Sequence, residues 1–308
     1  MNAIKDEEIS ELESRQKALL PEQYQDCDVE PVSMGSAALK YGSDGRVAWD
    51  EIWGSFCDLA MAGGPPHKGT LLEPGTAADI EANPGGYCEV VEELCRGVQM
   101  ISDLAASRCR VPGWICVSCG GQTMAEWLVR AITMENISVR SEGMVLYLPA
   151  GPGYRIAKEI KNVITSFAKT SHYWLEHMWP AQHRAIGQLF SRMSANWPLV
   201  EPALPGYGFR PDAHNALCDK LAETVTPATG LRPSAHRYPG WLGLECVDVR
   251  GAIWMMRALV VRNILSRREG TTLFVPINPA SDPSGDYVVQ QLIRVHRIRY
   301  GSTIDNAR

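Results

Sequence analysis

At 308 residues, with 45% hydrophobic and 21% charged residues, the chain has the composition of a globular protein with ample core. Its formal net charge of -5 argues against generic nucleic-acid binding, which needs basic surface to neutralise phosphates. No apolar run is long enough to span a bilayer, and nine cysteines, odd in number and irregularly spaced, fit no disulfide framework.

Residues 1–45 read as a polar arm with one amphipathic helical stretch. Its opening, Met1 to Glu8, is acidic and lacks the apolar core of a signal peptide, which points to a cytoplasmic protein with reduced thiols. Ala48 to Ala62 has the spacing of a helix bearing Trp49, Ile52, Trp53, Phe56, Leu59 and Ala60, stopped at Gly63-Gly64-Pro65-Pro66. The next helix carries Tyr87, Val91, Leu94, Val98, Ile101 and Ala105 at alternating steps of three and four. Ile115-Cys116-Val117 is a short apolar run expected as a buried strand. A helix follows, with Met124, Trp127, Leu128, Ala131 and Ile132 on its apolar face. Val139 to Pro149 reads as a strand pair around a Ser-Glu-Gly turn. Tyr154 to Met178 is predicted as one long helix with Ile156, Ile160, Val163, Ile164, Phe167, Trp174 and Leu175 inward.

Part of the chain is written twice. Pro112-Gly113-Trp114 reappears as Pro239-Gly240-Trp241, displaced by 127 residues, and the match runs without a gap to Pro152 and Pro279 with 16 identities in 41 positions. The identities include Cys119/Cys246, Trp127/Trp254, Arg130/Arg257, Asn136/Asn263, Arg140/Arg267, Glu142/Glu269 and Gly143/Gly270. Upstream, Cys218, Leu221 and Val225 align with Val91, Leu94 and Val98, which marks Cys218 as a core position. The duplication predicts an α/β fold of two tandem pseudo-symmetric repeats, each helix, strand, helix, strand pair, helix. The repeats are expected to be fused into a pseudo-twofold protein, with an arm at 1–45, a first lobe at 46–172 and a second at 173–308.

Residues common to both segments are most simply those the shared fold needs. Arg140 and Glu142, like Arg267 and Glu269, lie two apart on a strand and so point to one face, as a structural ion pair or as a symmetric substrate clamp. Residues that differ are better placed to carry a function performed once. The first segment has Cys119-Gly120-Gly121-Gln122 where the second has Cys246-Val247-Asp248-Val249. The two glycines permit close backbone approach to a ligand, and the helix start beyond them offers free N–H groups. A second glycine-rich joint holds Gly151, Gly153 and Arg155. Both joints follow strands, and open α/β sheets bind ligands beyond such strand ends. Cys119 faces the first joint, and a helix terminus can depress a thiol pKa. His67 and Lys68 occupy a proline-constrained loop. His172 and Glu176, four apart, share a helix face as an acid/base pair or half of a metal site; His177 and His183 follow. Recognisable zinc spacing is absent, so no metal ligand is assigned.

These features point to an enzyme acting on a small anionic metabolite. His67 and Cys119 are its catalytic candidates, and Gly120, Gly121, Gln122, Gly151, Gly153, Arg155 and Lys68 its ligand-binding candidates. The reaction type and any cofactor stay unassigned. The alternative is a non-catalytic small-ligand- or metal-binding protein with a pseudo-twofold cleft. The expected partner is a small molecule, with neither nucleic acid nor membrane, and a homo-oligomer stays open.

Overall fold

The computed structural model describes residues 2–25, 38–52, 70–204 and 209–301. The fold is mixed α/β, with two four-stranded antiparallel sheets. The chain divides into two compact units, one of Met1–Pro31 with Arg184–Arg308 and the other of Val32–His183. Among the described residues no helix is long and apolar enough to cross a membrane. Helix α1 (Asn2–Ala18) belongs to the first of these units and is taken up with it below.

In the Val32–His183 unit, Trp49 and Ile52 lie in a helical stretch and are both buried. Trp53, Phe56, Leu59, Ala60 and the Gly63-Gly64-Pro65-Pro66 stop lie outside the described residues. Helix α2 (Ala77–Ala82) opens with a capping box: the Thr76 hydroxyl accepts from the Asp79 N–H, and the Asp79 carboxylate accepts from the Thr76 N–H. Helix α3 (Pro84–Ser102) follows, with Asn83 as its cap and Pro84 in the first turn. Tyr87, Val91, Leu94 and Val98 form its buried face. Tyr87 also accepts the Gly113 N–H at 2.9 Å, which fastens the Pro-Gly-Trp turn to the helix. The helix stops at left-handed Asp103, so Ala105 lies beyond it and is exposed.

The sheet of this unit runs β1 (Ala106–Arg108), β2 (Trp114–Ser118), β3 (Arg140–Glu142) and β4 (Val145–Pro149), in the spatial order β1-β2-β4-β3. Helix α4 (Gln122–Met134) connects β2 to the β3–β4 hairpin, burying Met124, Trp127, Leu128 and Ile132. Trp114 pairs with Pro149 and Ser118 with Val145. The short edge strand β1 was not expected, because three residues are too few to show a period.

A π-helical turn at Ile156–Ile160 leads into α5 (Lys161–Glu176), and this corrects the inward face predicted there. Ile160, Val163, Ile164, Phe167 and Trp174 are buried, whereas Ile156 is 42% and Leu175 47% exposed. The Ile160 N–H reaches back five residues to the Arg155 carbonyl, so Ile156 falls out of the 3.6-residue phase. Part of the inward face is instead Ser166, Thr170 and Ser171, small polar residues; Thr170 and Ser171 donate their hydroxyls to carbonyls of their own helix.

The other elements are α6 (Pro180–Asn196), α7 (Pro211–Thr229), β5 (Arg232–Pro233), β6 (Trp241–Glu245), α8 (Val249–Val260), β7 (Arg267–Glu269), β8 (Thr272–Pro276) and α9 (Asp286–Tyr300). The sheet order here is β5-β6-β8-β7, with Trp241 opposite Pro276 and Glu245 opposite Thr272. Helix α1 packs on α8 and α9, burying Leu12, accepting the Trp254 indole N–H with Glu13 and pairing Glu8 with Arg294.

Extended segments pass each sheet and explain several shared residues. The Leu72 N–H donates to the Asn136 carbonyl at 2.8 Å, the Gly75 N–H to Ala150 at 3.0 Å and the Ala150 N–H to Gly113 at 2.7 Å. In the other unit Val200 donates to Asn263 at 2.9 Å, Ala203 to Ile277 at 3.1 Å and Ile277 to Gly240 at 2.7 Å. Both asparagines are fully buried in left-handed backbone, at φ 59° and 63°. Asparagine is among the few side-chain-bearing residues that tolerate that region, which gives the Asn136/Asn263 identity a backbone cause.

Candidate functional site

The loop after β2 begins with Cys119, whose N–H donates to the Met144 carbonyl at 2.9 Å while its side chain turns into the core. Burial pushes the thiol up to about 12. Cys246, at the aligned position after β6, is equally buried and also pushed up to about 12 by burial. A helix start that activated the thiol would depress its pKa, so the environment of Cys119 is that of a packing residue. We expect a thiol reagent to label exposed Cys88 in the native protein and to reach Cys119 and Cys246 only on unfolding. Native-state labelling of Cys119 ahead of Cys246 would restore a nucleophilic role.

A methyl on Gly120 would make ordinary contact with the Met124 sulfur at 3.9 Å, whereas Gly121 leaves open space. Gly121 has φ 172° and ψ 166°, extended backbone open to any residue, and a methyl group there would meet nothing within 4 Å. As the residue before α4, it supplies no side-chain cap. The aligned residue before α8 is Asp248, whose carboxylate accepts the Gly251 N–H at 2.6 Å. One helix start thus carries its own carboxylate, and the other has no side-chain cap. The Gln122 amide donates to Glu126 at 2.8 Å.

The second joint is closed by the protein itself. A methyl on Gly151 would lie 3.0 Å from the Tyr154 ring and 3.2 Å from the Gly75 nitrogen. Tyr154 donates its hydroxyl to the Glu73 carbonyl at 2.5 Å. Arg155 turns back on its own helix and pairs with Glu159. Burial works to raise the Glu159 carboxyl, but bonds from the Arg155 guanidinium and backbone N–H outweigh it and hold the group at about 2. Gly153 has open space around it. His67 and Lys68 lie outside the described residues. The structure therefore brings Cys119, Gly120, Gly121 and Gln122 together in one loop, with Gly151, Gly153 and Arg155 in another. The rule that led to these joints applies to open sheets with parallel strands, and both sheets here are antiparallel.

The Arg–Glu pairs are ion pairs within their own strands. Arg140 reaches Glu142 at 2.8 Å, and Arg267 reaches Glu269 at 2.6 Å. Arg140 lies over the Tyr147 ring at 4.1 Å, whereas Arg267 is fully buried against Phe274, Tyr238 and Trp241 at 4.0, 4.5 and 4.9 Å. Cys116 and Cys119 differ as strand geometry requires: Cys116 is half-buried and Cys119 buried.

At the end of α5 four side chains gather. His172 Nδ1 lies 3.1 Å from a Glu176 oxygen, and the Nε2 atoms of His172 and His177 face each other at 2.9 Å. His183 is engaged differently, stacked on the Trp174 ring at 4.1 Å with its Nε2 on the Trp174 carbonyl. Among the described residues no group of three or more His, Cys, Asp or Glu side chains is arranged to hold a metal ion.

Sequence reasoning missed a surface cavity of about 710 Å³ lined by Thr224, Gln290, Ile293, Arg294, Arg297 and neighbouring residues. Its signal was present, since Gln290, Arg294 and Arg297 follow one another at four and three residues on α9. None of the candidate site residues among the described ones lines it. Comparison with protein-family models, curated proteins and solved structures finds no match.

Proposed function

We propose that the protein binds a small anion, a carboxylate or a phosphate, at the Gly120–Gln122 loop that opens α4, and that it does so without transforming it. The observation that carries this reading is the contrast between two aligned helix starts. The Asp248 carboxylate accepts the first-turn Gly251 N–H of α8, whereas Gly121 brings no side chain to the same position of α4 and leaves it sterically open. Exposed N–H groups and the positive dipole end of a helix attract an anion. The buried, high-pKa thiol of Cys119 favours binding over nucleophilic chemistry within the same loop. We read the two segments as copies of one duplicated unit. Sheets of the same order, with every central pairing displaced by 127 residues, support that reading. The second copy would then be the version that supplies its own anion.

Titration with inorganic phosphate, followed by amide NMR, tests the proposal. Shifts are expected at Gly121, Gln122, Thr123 and Met124 and not at the start of α8. Gly121→Asp, which installs the cap of the second segment, should abolish those shifts and stabilise the protein by a few tenths of a kcal/mol. Equal responses from the parent and Gly121→Asp would overturn the assignment.

A further inference from the structure

We propose that His172 and His177 form a binding site for a divalent late transition metal, Cu(II) or Ni(II), through their facing Nε2 atoms. Three features of the α5 terminus support it. The first is the spacing. Two imidazole nitrogens each about 2.05 Å from one ion, at a right angle to each other, stand about 2.9 Å apart. That is the separation found here, whereas tetrahedral ligands would stand about 3.3 Å apart. A right angle between nitrogen ligands belongs to square-planar and octahedral sites, which is the preference of Cu(II) and Ni(II) rather than zinc.

The second feature is tautomer control. Glu176 accepts from His172 Nδ1, which keeps the proton on that nitrogen and leaves the Nε2 lone pair directed at His177. A carboxylate behind the imidazole is the usual support of a metal-bound histidine. In the metal-free protein one Nε2 proton bridges the two rings. When the metal enters, that proton moves through solvent to Nδ1 of His177, and both Nε2 lone pairs bind the ion. Each ring stays neutral, and water fills the other coordination positions.

The third is the setting of the rings. Both are partly buried, beside the largely exposed Glu176. The rings meet nearly edge to face, at 78° with centroids 4.6 Å apart. His183 is occupied by the Trp174 ring and carbonyl, and lies outside the proposed site.

The test is titration of the full chain with copper(II) chloride, read by electron paramagnetic resonance. A signal split by two equivalent nitrogens is expected, lost in both His172→Asn and His177→Asn and retained in His183→Asn. Glu176→Gln should weaken binding by about 10- to 100-fold. Should the histidine variants fail to fold, nickel(II) chloride added to the parent protein gives a second reading: amide signals around residues 172–178 should broaden first. Copper bound with equal affinity by the parent and a folded His172→Asn/His177→Asn variant overturns the proposal, as does nickel broadening centred elsewhere. An imidazole pair that is only a hydrogen bond would show neither signal, which likewise overturns it.

Discussion

Glu269→Ala should destabilise the protein by about 3–5 kcal/mol, the cost of breaking a buried ion pair from one side. Glu142→Ala, the same change at the aligned position, should cost about 0–1 kcal/mol, as exposed pairs do. The two pairs share residue types and strand register; they differ in burial, and Glu142 also accepts the Tyr147 hydroxyl where the aligned Phe274 has none. The Arg267 side chain is fully buried and that of Glu269 13% exposed, against 16% for Arg140 and 62% for Glu142. Without Glu269, the guanidinium remains in a cage of Phe274, Tyr238 and Trp241, where little solvent can compensate its charge. Adding Arg267→Met to Glu269→Ala should recover much of the loss, because a packed apolar side chain often replaces a buried pair at little cost. Urea unfolding of the four proteins decides the matter. Equal losses at Glu269 and Glu142 would show that burial does not set the difference.

A second contrast lies in the glycines of the two aligned segments. Gly240→Ala should cost about 3 kcal/mol or more, combining the left-handed strain of a side chain with displacement of packed backbone. Gly240 has φ 75°, and a methyl there would fall 2.3 Å from the Ala203 carbonyl oxygen. Ala203 is itself bonded to Ile277, whose N–H donates to the Gly240 carbonyl, so relief would break two bonds of one network. Gly113→Ala should behave similarly, with φ 88° and a contact of 2.7 Å to the Gly75 oxygen. Gly270→Ala and Gly143→Ala are the controls: both have positive φ, but nothing lies within 4 Å of the added methyl. They should lose about 1 kcal/mol each. Thermal or urea unfolding of the series separates strain from collision, and a loss at Gly270 matching that at Gly240 would refute the collision.

These residues also show what the sequence made legible. Gly113, Asn136, Arg140 and Gly143 recur 127 residues later because backbone angle or a local ion pair demands them, and such demands survive in residue type. The strands, the helix between them and the hairpin followed from pattern for the same reason. Edge strands of two and three residues left no period to read. The π-turn shifted Ile156 by hydrogen bonding, which residue types do not encode. Closure of the Gly151 joint depends on Gly75, a partner distant in sequence. The loop at Gly120 and Gly121 stood out by its difference from the aligned Val247 and Asp248, whereas the open space at Gly121 depends on how the loop folds. His172 and Glu176 were legible as an i, i+4 pair. His177 was legible only as a neighbour of that pair, since its contact with His172 forms where α5 ends at Glu176.

The brevity of the outer strands has a further consequence, for self-association. A long free strand edge is a template on which another chain can grow a sheet. Here the outer strands are Ala106–Arg108, Arg140–Glu142, Arg232–Pro233 and Arg267–Glu269, none longer than three residues. Each carries arginine, and Pro233 has no N–H to offer an added strand. Both sheets therefore end in rims that discourage fibril-like stacking, so the tryptophan-rich interior is guarded by the shortest and most charged strands of the fold.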